Sequence, residues 1–185
     1  MKPSWQESLR QTLSQTQNEN GDLPRVAIVG IGNPLRNDDI AGTLVANELL
    51  QRECAIDANH FLVIQAGHAP ENVTSELRDF RPHLIILIDA ADMRAEPGTV
   101  CWVPIQLIEG MSASTHSLPL SMLARYLTLE LNCAVVLVGI QPKSTAIGET
   151  VSPEILAAVN EIVEEISTDF LTARTHYNIS EILGV

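Results

Sequence analysis

The chain has 185 residues, of which 45% are hydrophobic, 4% aromatic and 18% charged, and this length suits one domain with a sizeable core. Twenty-three acidic and eleven basic residues give a net charge of -12, which disfavours nucleic acid as a partner because so acidic a chain repels phosphates. The longest apolar run, residues 133–140, is far too short for membrane insertion.

Cysteine usage and the first residues indicate the compartment. Cys54, Cys101 and Cys133 are odd in number and widely spaced, which excludes a disulfide framework and a structural zinc site. Residues 1–20 lack an apolar core segment, so no secretory signal is expected. We therefore expect a cytoplasmic protein.

The N-terminal segment differs in composition from the rest of the chain. Trp5, Leu9 and Leu13 recur at helical spacing among the otherwise polar residues 3–18. We predict a short amphipathic helix that is peripheral to the core and lies within an extension spanning residues 1–24.

Short apolar runs then alternate with amphipathic segments. The runs predict buried strands over residues 26–29, 61–64, 84–88, 99–103 and 134–139. Helices are predicted over residues 40–52, 70–80, 115 or 117 to 131, and 153–171. Apolar strands alternating with helices predict a largely parallel sheet covered on both faces, in a domain of residues 25–172 followed by a tail of residues 173–185.

The glycine turn Gly30-Ile31-Gly32 does not fit the common nucleotide-binding motifs. A dinucleotide fingerprint needs a third glycine where Leu35 stands and an acid near Gln65 at the end of the second strand. No Gly-Lys-Ser/Thr follows, and the chain has no Gly-x-Ser-x-Gly serine-hydrolase elbow. No tightly bound organic cofactor is expected.

Acidic and imidazole side chains are placed where loops of such a sheet meet. Asp38 and Asp39 follow the first strand, Asp89 ends the third, and His116 lies in the loop entering a helix. Because ligands of open parallel sheets lie beyond the carboxyl ends of the strands, we expect these groups within reach of one another. Two oxygen donors and one nitrogen donor suit zinc or nickel, with positions left open for another ligand.

Each of these residues also has a structural explanation. Asp38 fits an N-cap, and Asp39 fits an acid in a first helical turn. A lone His116 is more often a surface or hydrogen-bonded histidine than a ligand. Asp89 needs a partner or a function, because a charge buried without a partner at the end of an aliphatic strand costs several kcal/mol.

Five motifs in order carry a resemblance to a known family. Residues 30–39 (GIGNPLRNDD) resemble the N-terminal signature of the maturation endopeptidases of nickel–iron hydrogenases. The segments that are similar to the branch processing hydrogenase 3, of the formate-hydrogenlyase type, are residues 69–72, 88–93 with 97–98, 115–120 and 139–142. Together the motifs lie within residues 26–166.

The resemblance implies a fold, an activity and a site. The fold is a three-layer α/β/α domain with a twisted, mostly parallel five-stranded sheet. The activity is that of an endopeptidase, aspartic-type by family, which removes the C-terminal extension of a hydrogenase large-subunit precursor after nickel insertion. The family's metal site falls on Asp39, Asp89 and His116, and the catalytic acids on Asp39, Asp89 and Asp38. The nickel is carried by the precursor and serves as the recognition element.

The chain departs from the family pattern at two places. Ile40 replaces a usual glycine, which implies a stiffer loop around Asp39, and Gln65-Ala66 replaces an Asp-Gly thought to influence which hydrogenase is accepted. Two other functions stay open. One is a nickel-dependent checkpoint or binding protein without proteolysis, and the other is an unrelated metal-assisted small α/β hydrolase.

Overall fold

The computed structural model describes residues 3–16, 23–52, 59–108, 120–148 and 150–183. The α-helices are α1 Trp5–Thr16, α2 Ala41–Gln51, α3 Thr74–Phe80, α4 Leu120–Leu131 and α5 Pro153–Leu183. The strands are β1 Val26–Ile31, β2 Phe61–Gly67, β3 Leu84–Ala90, β4 Val100–Pro104 and β5 Ala134–Ile140. Short 3₁₀ helices lie at Asn37–Ile40, Pro70–Val73 and Ile105–Leu107. All five predicted strands are therefore confirmed, with ends that shift by a few residues.

The strands form one sheet in the order β2-β1-β3-β5-β4. β2, β1, β3 and β5 pair in parallel, and β4 pairs with β5 in the antiparallel direction at one edge. Helices α1, α2 and α5 share one core cluster with the sheet, and α3 and α4 share the other. The expected three-layer α/β/α fold with a mostly parallel five-stranded sheet is confirmed.

Strands β1 and β3 are fully buried, as their apolar sequences predict. Because side chains alternate along a strand, Ile86 and Ile88 face α2 and α5, whereas Ile85 and Leu87 face α3 and α4. By the same alternation, Asp89 lies on the face of the sheet that Ile85 and Leu87 share. It lies inside β3, since the strand continues to Ala90 rather than ending at Asp89 as expected.

Helix α1 forms as predicted, but the expectation that it is peripheral to the core is wrong. The side chains of Trp5 and Leu9 are only 6% and 1% exposed to solvent. Both belong to the core cluster that contains residues of α5. The sequence pattern shows that α1 has an apolar stripe without showing that the core offers a surface for it. The domain boundary at residue 24 stays a prediction.

Polar contacts fix α1 on α5. The indole N–H of Trp5 donates a hydrogen bond to Glu161 (2.9 Å), and the guanidinium of Arg10 pairs with Glu165 and with Asp169. We call this contact between α1 and α5 the helical seam.

Helix α5 is longer than predicted. It begins at Pro153, as the Ser152-Pro153 signal indicates, but runs to Leu183 instead of ending near residue 171. No glycine or proline occurs between Pro153 and Gly184, so the sequence offers no stop signal there. Within the described part of the chain, no helix is long and apolar enough to cross a membrane.

Candidate active site

The strand order places a topological switch point at the carboxyl ends of β1 and β3. From β1 the chain continues to β2 on one side, whereas β3 pairs on the other side of β1. Loops that leave neighbouring parallel strands in opposite directions open a space between them, where ligands of doubly wound sheets bind. Asp38 and Asp39 follow β1, and Asp89 is the penultimate residue of β3. We call this end of the sheet the carboxyl edge.

A glycine contact brings these two elements together. A Cβ atom at Gly42, in the first turn of α2, would overlap the carbonyl oxygens of Ile88 and Ile31. Only glycine therefore allows α2 to start so close to the sheet. As a result, the 3₁₀ helix that carries Asp39 contacts β3, the strand that carries Asp89.

Asp38 is fully buried and holds three segments of chain together. Its carboxylate accepts hydrogen bonds from the backbone N–H groups of Lys143 (2.8 Å), Ser144 (3.2 Å) and Ser152 (2.8 Å), and from the Ser152 hydroxyl (3.0 Å). Four donors, two of them on Ser152 at the N-terminus of α5, offset the cost of burying the charge. These bonds run to the loop after β5 and to Ser152, so Asp38 stabilises the start of α5 rather than capping its own 3₁₀ helix.

Asp39 and Asp89 are also buried, with 0% and 1% of their surface exposed. The backbone of Asp39 is fixed by two hydrogen bonds: its carbonyl accepts from Asn33 N–H (3.1 Å), and its N–H donates to Arg36 O (2.9 Å). Asp89 is fixed by the ladder, where it pairs with Gly139. Both acids thus sit on rigid backbone at the carboxyl edge, where the sequence pattern predicts them.

His116 lies outside the described residues, so its expected place beside the two acids stays a prediction. Helix α4, which follows it in sequence, begins at the carboxyl edge, because only two residues connect the end of α4 to the start of β5. Among the residues that the structure describes, no group of three or more histidine, cysteine, aspartate or glutamate side chains could hold a metal ion.

Gln141 is a buried polar residue to which the sequence analysis gave no role. Its side-chain carbonyl accepts hydrogen bonds from the N–H groups of Met93 (2.7 Å) and Ala95 (3.2 Å), and its amide donates to Asp92 (3.4 Å). These bonds fix the loop that follows Asp89. A polar residue directly after an apolar strand, inside a family-like motif, is the signal that could have identified it.

An exposed ion pair lies between the loop after β5 and the start of α5. The ammonium of Lys143 lies 2.8 Å from Glu154, at the start of α5. The hydrogen bond between them lowers the pKa of Glu154 and raises the pKa of Lys143. Because both side chains are largely exposed, water screens the pair and its effect on stability is small.

Comparison with known proteins shows close likeness over most of the chain. Residues 43–169 match the sequence profile of the family described as hydrogenase maturation protease, a range that contains Asp89 and His116 and begins after Asp39. A putative hydrogenase maturation protease of Methanocaldococcus jannaschii is 35% identical over 123 residues, which cover 64% of this chain and 73% of the relative. The hydrogenase 3 maturation protease of Escherichia coli K12 is 30% identical over 137 residues, covering 74% of this chain and 85% of the relative.

Solved structures of the same kind of protein resemble this fold. The crystal structure of the NiFe hydrogenase maturation protease HycI from Thermococcus kodakarensis superposes with a TM-score of 0.71 at 32% identity, covering 80% of this chain and 92% of that one. The crystal structure of a hydrogenase 3 maturation protease gives a TM-score of 0.64 at 29% identity, covering 76% of this chain and 88% of that one.

Proposed function

Because this chain belongs to the hydrogenase maturation protease family, we propose that it removes the C-terminal extension of a nickel–iron hydrogenase large-subunit precursor once nickel has been inserted. The observation that carries this proposal is the pair of buried acids, Asp39 and Asp89, on two contacting elements at the carboxyl ends of β1 and β3. The strand order reverses there, and sheets of this kind bind ligands at such a point.

In this proposal the nickel belongs to the substrate. Nickel already held by the precursor offers open coordination positions, which carboxylates and an imidazole suit. Asp39, Asp89 and His116 bind it there, and binding places the scissile bond next to the acids. Precursor without nickel lacks this contact and stays uncut, so the metal acts as a recognition element that also orients the reacting groups.

Hydrolysis then moves one proton in two transfers, through a carboxylate of the site. A carboxylate at the site takes a proton from water as the oxygen attacks the scissile carbonyl carbon, and the proton passes to the leaving nitrogen as the C–N bond breaks. We assign this base to Asp39 or Asp89. Asp38 is less suited, because both of its oxygens already accept hydrogen bonds. Since Asp39 and Asp89 are buried, neighbouring side chains must move when the precursor binds.

The test compares nickel-loaded with nickel-free precursor and reads the shortening by mass. The wild-type protein should shorten only the loaded precursor. Asp39→Asn, Asp89→Asn and His116→Ala should each slow shortening at least roughly 100-fold, because each loses a contact to the metal. Asp79→Asn, which removes an exposed carboxylate on α3, is the matched control and should behave as wild type.

Other results would contradict the proposal in distinct ways. Equal shortening of both precursors would remove the recognition role of nickel. Binding of the loaded precursor without shortening would identify a checkpoint protein, and indifference to either precursor would identify an unrelated hydrolase.

A further inference from the structure

Two large apolar side chains project from loops beside the acids of the carboxyl edge. Leu35, after β1, is 71% exposed, and Ile147, after β5, is 75% exposed. Single exposed apolar residues are ordinary on protein surfaces and need no explanation. What distinguishes this pair is how its loops are built.

The loop of Leu35 is a tight turn held from inside. The N–H of Arg36 donates to the carbonyl of Asn33 (3.1 Å), and the N–H of Leu35 donates to the Asn33 side chain (3.0 Å). Pro34 stands at the second position of this turn and pre-sets its backbone. Leu35, at the third position, is therefore held in a fixed turn and presented to solvent.

The loop of Ile147 is braced in a similar way. The N–H of Ala146 donates to the hydroxyl of Ser144 (3.2 Å), and Gly148 has a φ of 85°, a left-handed conformation that glycine adopts without strain. Ile147 thus stands between a side-chain-stabilised turn and a glycine, so its position costs little further entropy on binding.

Asp38 joins the two loops. Its carboxylate accepts hydrogen bonds from Lys143 and Ser144, and its own N–H donates to the carbonyl of Ser144 (3.2 Å). Leu35 precedes Asp38, and Ile147 follows Ser144, by three residues, so each Cα lies within about 11 Å of this junction. The junction also precedes Asp39 directly. Both apolar tips therefore stand on loops that are tied to the segment carrying Asp39.

We propose that Leu35 and Ile147 form a docking platform that contacts an apolar patch of the large-subunit precursor next to its cleavage segment. This inference rests on the proposed function and adds to it the residues that hold the protein substrate. The platform is continuous with the candidate active site, because both are built on the same two loops. In this proposal the acids bind the nickel, and the two apolar side chains bind the protein surface around it.

The experiment measures kcat and KM on nickel-loaded precursor for Leu35→Ser, Ile147→Ser and the double variant. Serine suits both turns, so melting temperatures should match wild type. Each single change should raise KM roughly tenfold, and the double change roughly a hundredfold, with kcat within about twofold, because uniform binding is lost without affecting the chemistry. Leu129→Ser on α4, where the leucine is also 75% exposed, is the matched control and should leave KM unchanged.

The affinity of each variant for loaded precursor, measured by calorimetry, separates the two proposals. If wild type binds the precursor without shortening it, the proposed proteolysis fails, and weaker binding of the double variant still supports the platform. If wild type shortens the precursor and the double variant keeps its KM and affinity, only the platform fails. Equal loss in the Leu129→Ser control, or a fall in kcat at constant KM, would likewise overturn the platform.

Discussion

The carboxyl edge and the helical seam are built by opposite means. At the carboxyl edge, buried Asp38 accepts four hydrogen bonds, and Gly42 lets backbone approach backbone. At the helical seam, Trp5 and Leu9 bury apolar surface, while Arg10 makes ion pairs near the solvent. The first region depends on direction and distance, and the second mainly on area removed from water.

This difference predicts how each region responds to change. Directional contacts fix where Asp39 and Asp89 stand, so a defect at the carboxyl edge should affect processing as well as stability. The seam contacts on α5 begin at Glu161, about two turns after the end of α5 that meets the carboxyl edge, so a defect there should affect stability alone. Three experiments test this division, and a fourth examines the opposite end of the sheet.

The largest effect is expected for Gly42→Ala. The added methyl group would overlap the carbonyl oxygens of Ile88 and Ile31, which cannot move without breaking the sheet. We expect a loss of at least about 3 kcal/mol in unfolding free energy, hence a Tm lower by roughly 10 °C, together with loss of processing. Asn47→Ala, which places the same side chain at an exposed position of the same helix, is the control. Normal processing by the Gly42→Ala variant would show that α2 can move away from the sheet without displacing the site, which would contradict this prediction.

Trp5→Ala should come close to that loss of stability without loss of processing. It removes a buried aromatic ring and the hydrogen bond to Glu161, at a cost of about 3 kcal/mol. Denaturant unfolding gives the stability, and shortening of loaded precursor well below the Tm gives the activity. Gln11→Ala, exposed on α1, should change neither. A folded Trp5→Ala protein that processes slowly would mean that the seam reaches the site.

Asp38→Asn should have an intermediate effect on both properties. The amide places N–H donors against backbone donors of Lys143, Ser144 or Ser152, at a cost of about 2 kcal/mol. Because Asp38 positions the loops of Leu35 and Ile147, KM should rise as well. Asp79→Asn serves as the control for loss of an exposed carboxylate. Wild-type stability in Asp38→Asn would show that the junction tolerates an amide.

The smallest effect is expected at the opposite end of the sheet, where His83 accepts a hydrogen bond from Arg25 N–H at Nδ1 (2.9 Å). Burial, and then the charge of Arg25, lower the pKa of His83. The neutral imidazole therefore contributes stability, about 1 kcal/mol, above the ordinary pKa near 6.5, and this is lost as the pH falls through the lowered pKa. The difference in Tm between wild type and His83→Gln should be largest at pH 8 and shrink toward pH 5. A constant difference would contradict this.

The sequence predicted most of the fold because apolar runs such as residues 84–88 leave few alternatives to a buried strand. The length of α5 was missed although the sequence indicates it, because no glycine or proline interrupts residues 154–183 and Gly184 follows the last helical residue. The sequence also suggested Asp38 as a cap of its own helix, whereas Asp38 binds the start of α5. Partners that are distant in sequence leave no local pattern, which explains why the burial of Trp5 was also missed. The acids at the carboxyl edge were found because strand ends can be located from local patterns alone.

The bond between Asp38 and Ser152 spans 114 residues of sequence, and this separation has a consequence for the order of folding. Closing so long a loop costs entropy that is recovered only when β5 and the start of α5 are in place. The junction therefore forms late, after the central strands have paired. Activity should return with the slowest refolding phase, and a chain still emerging from the ribosome should be inert until residue 152 has been released.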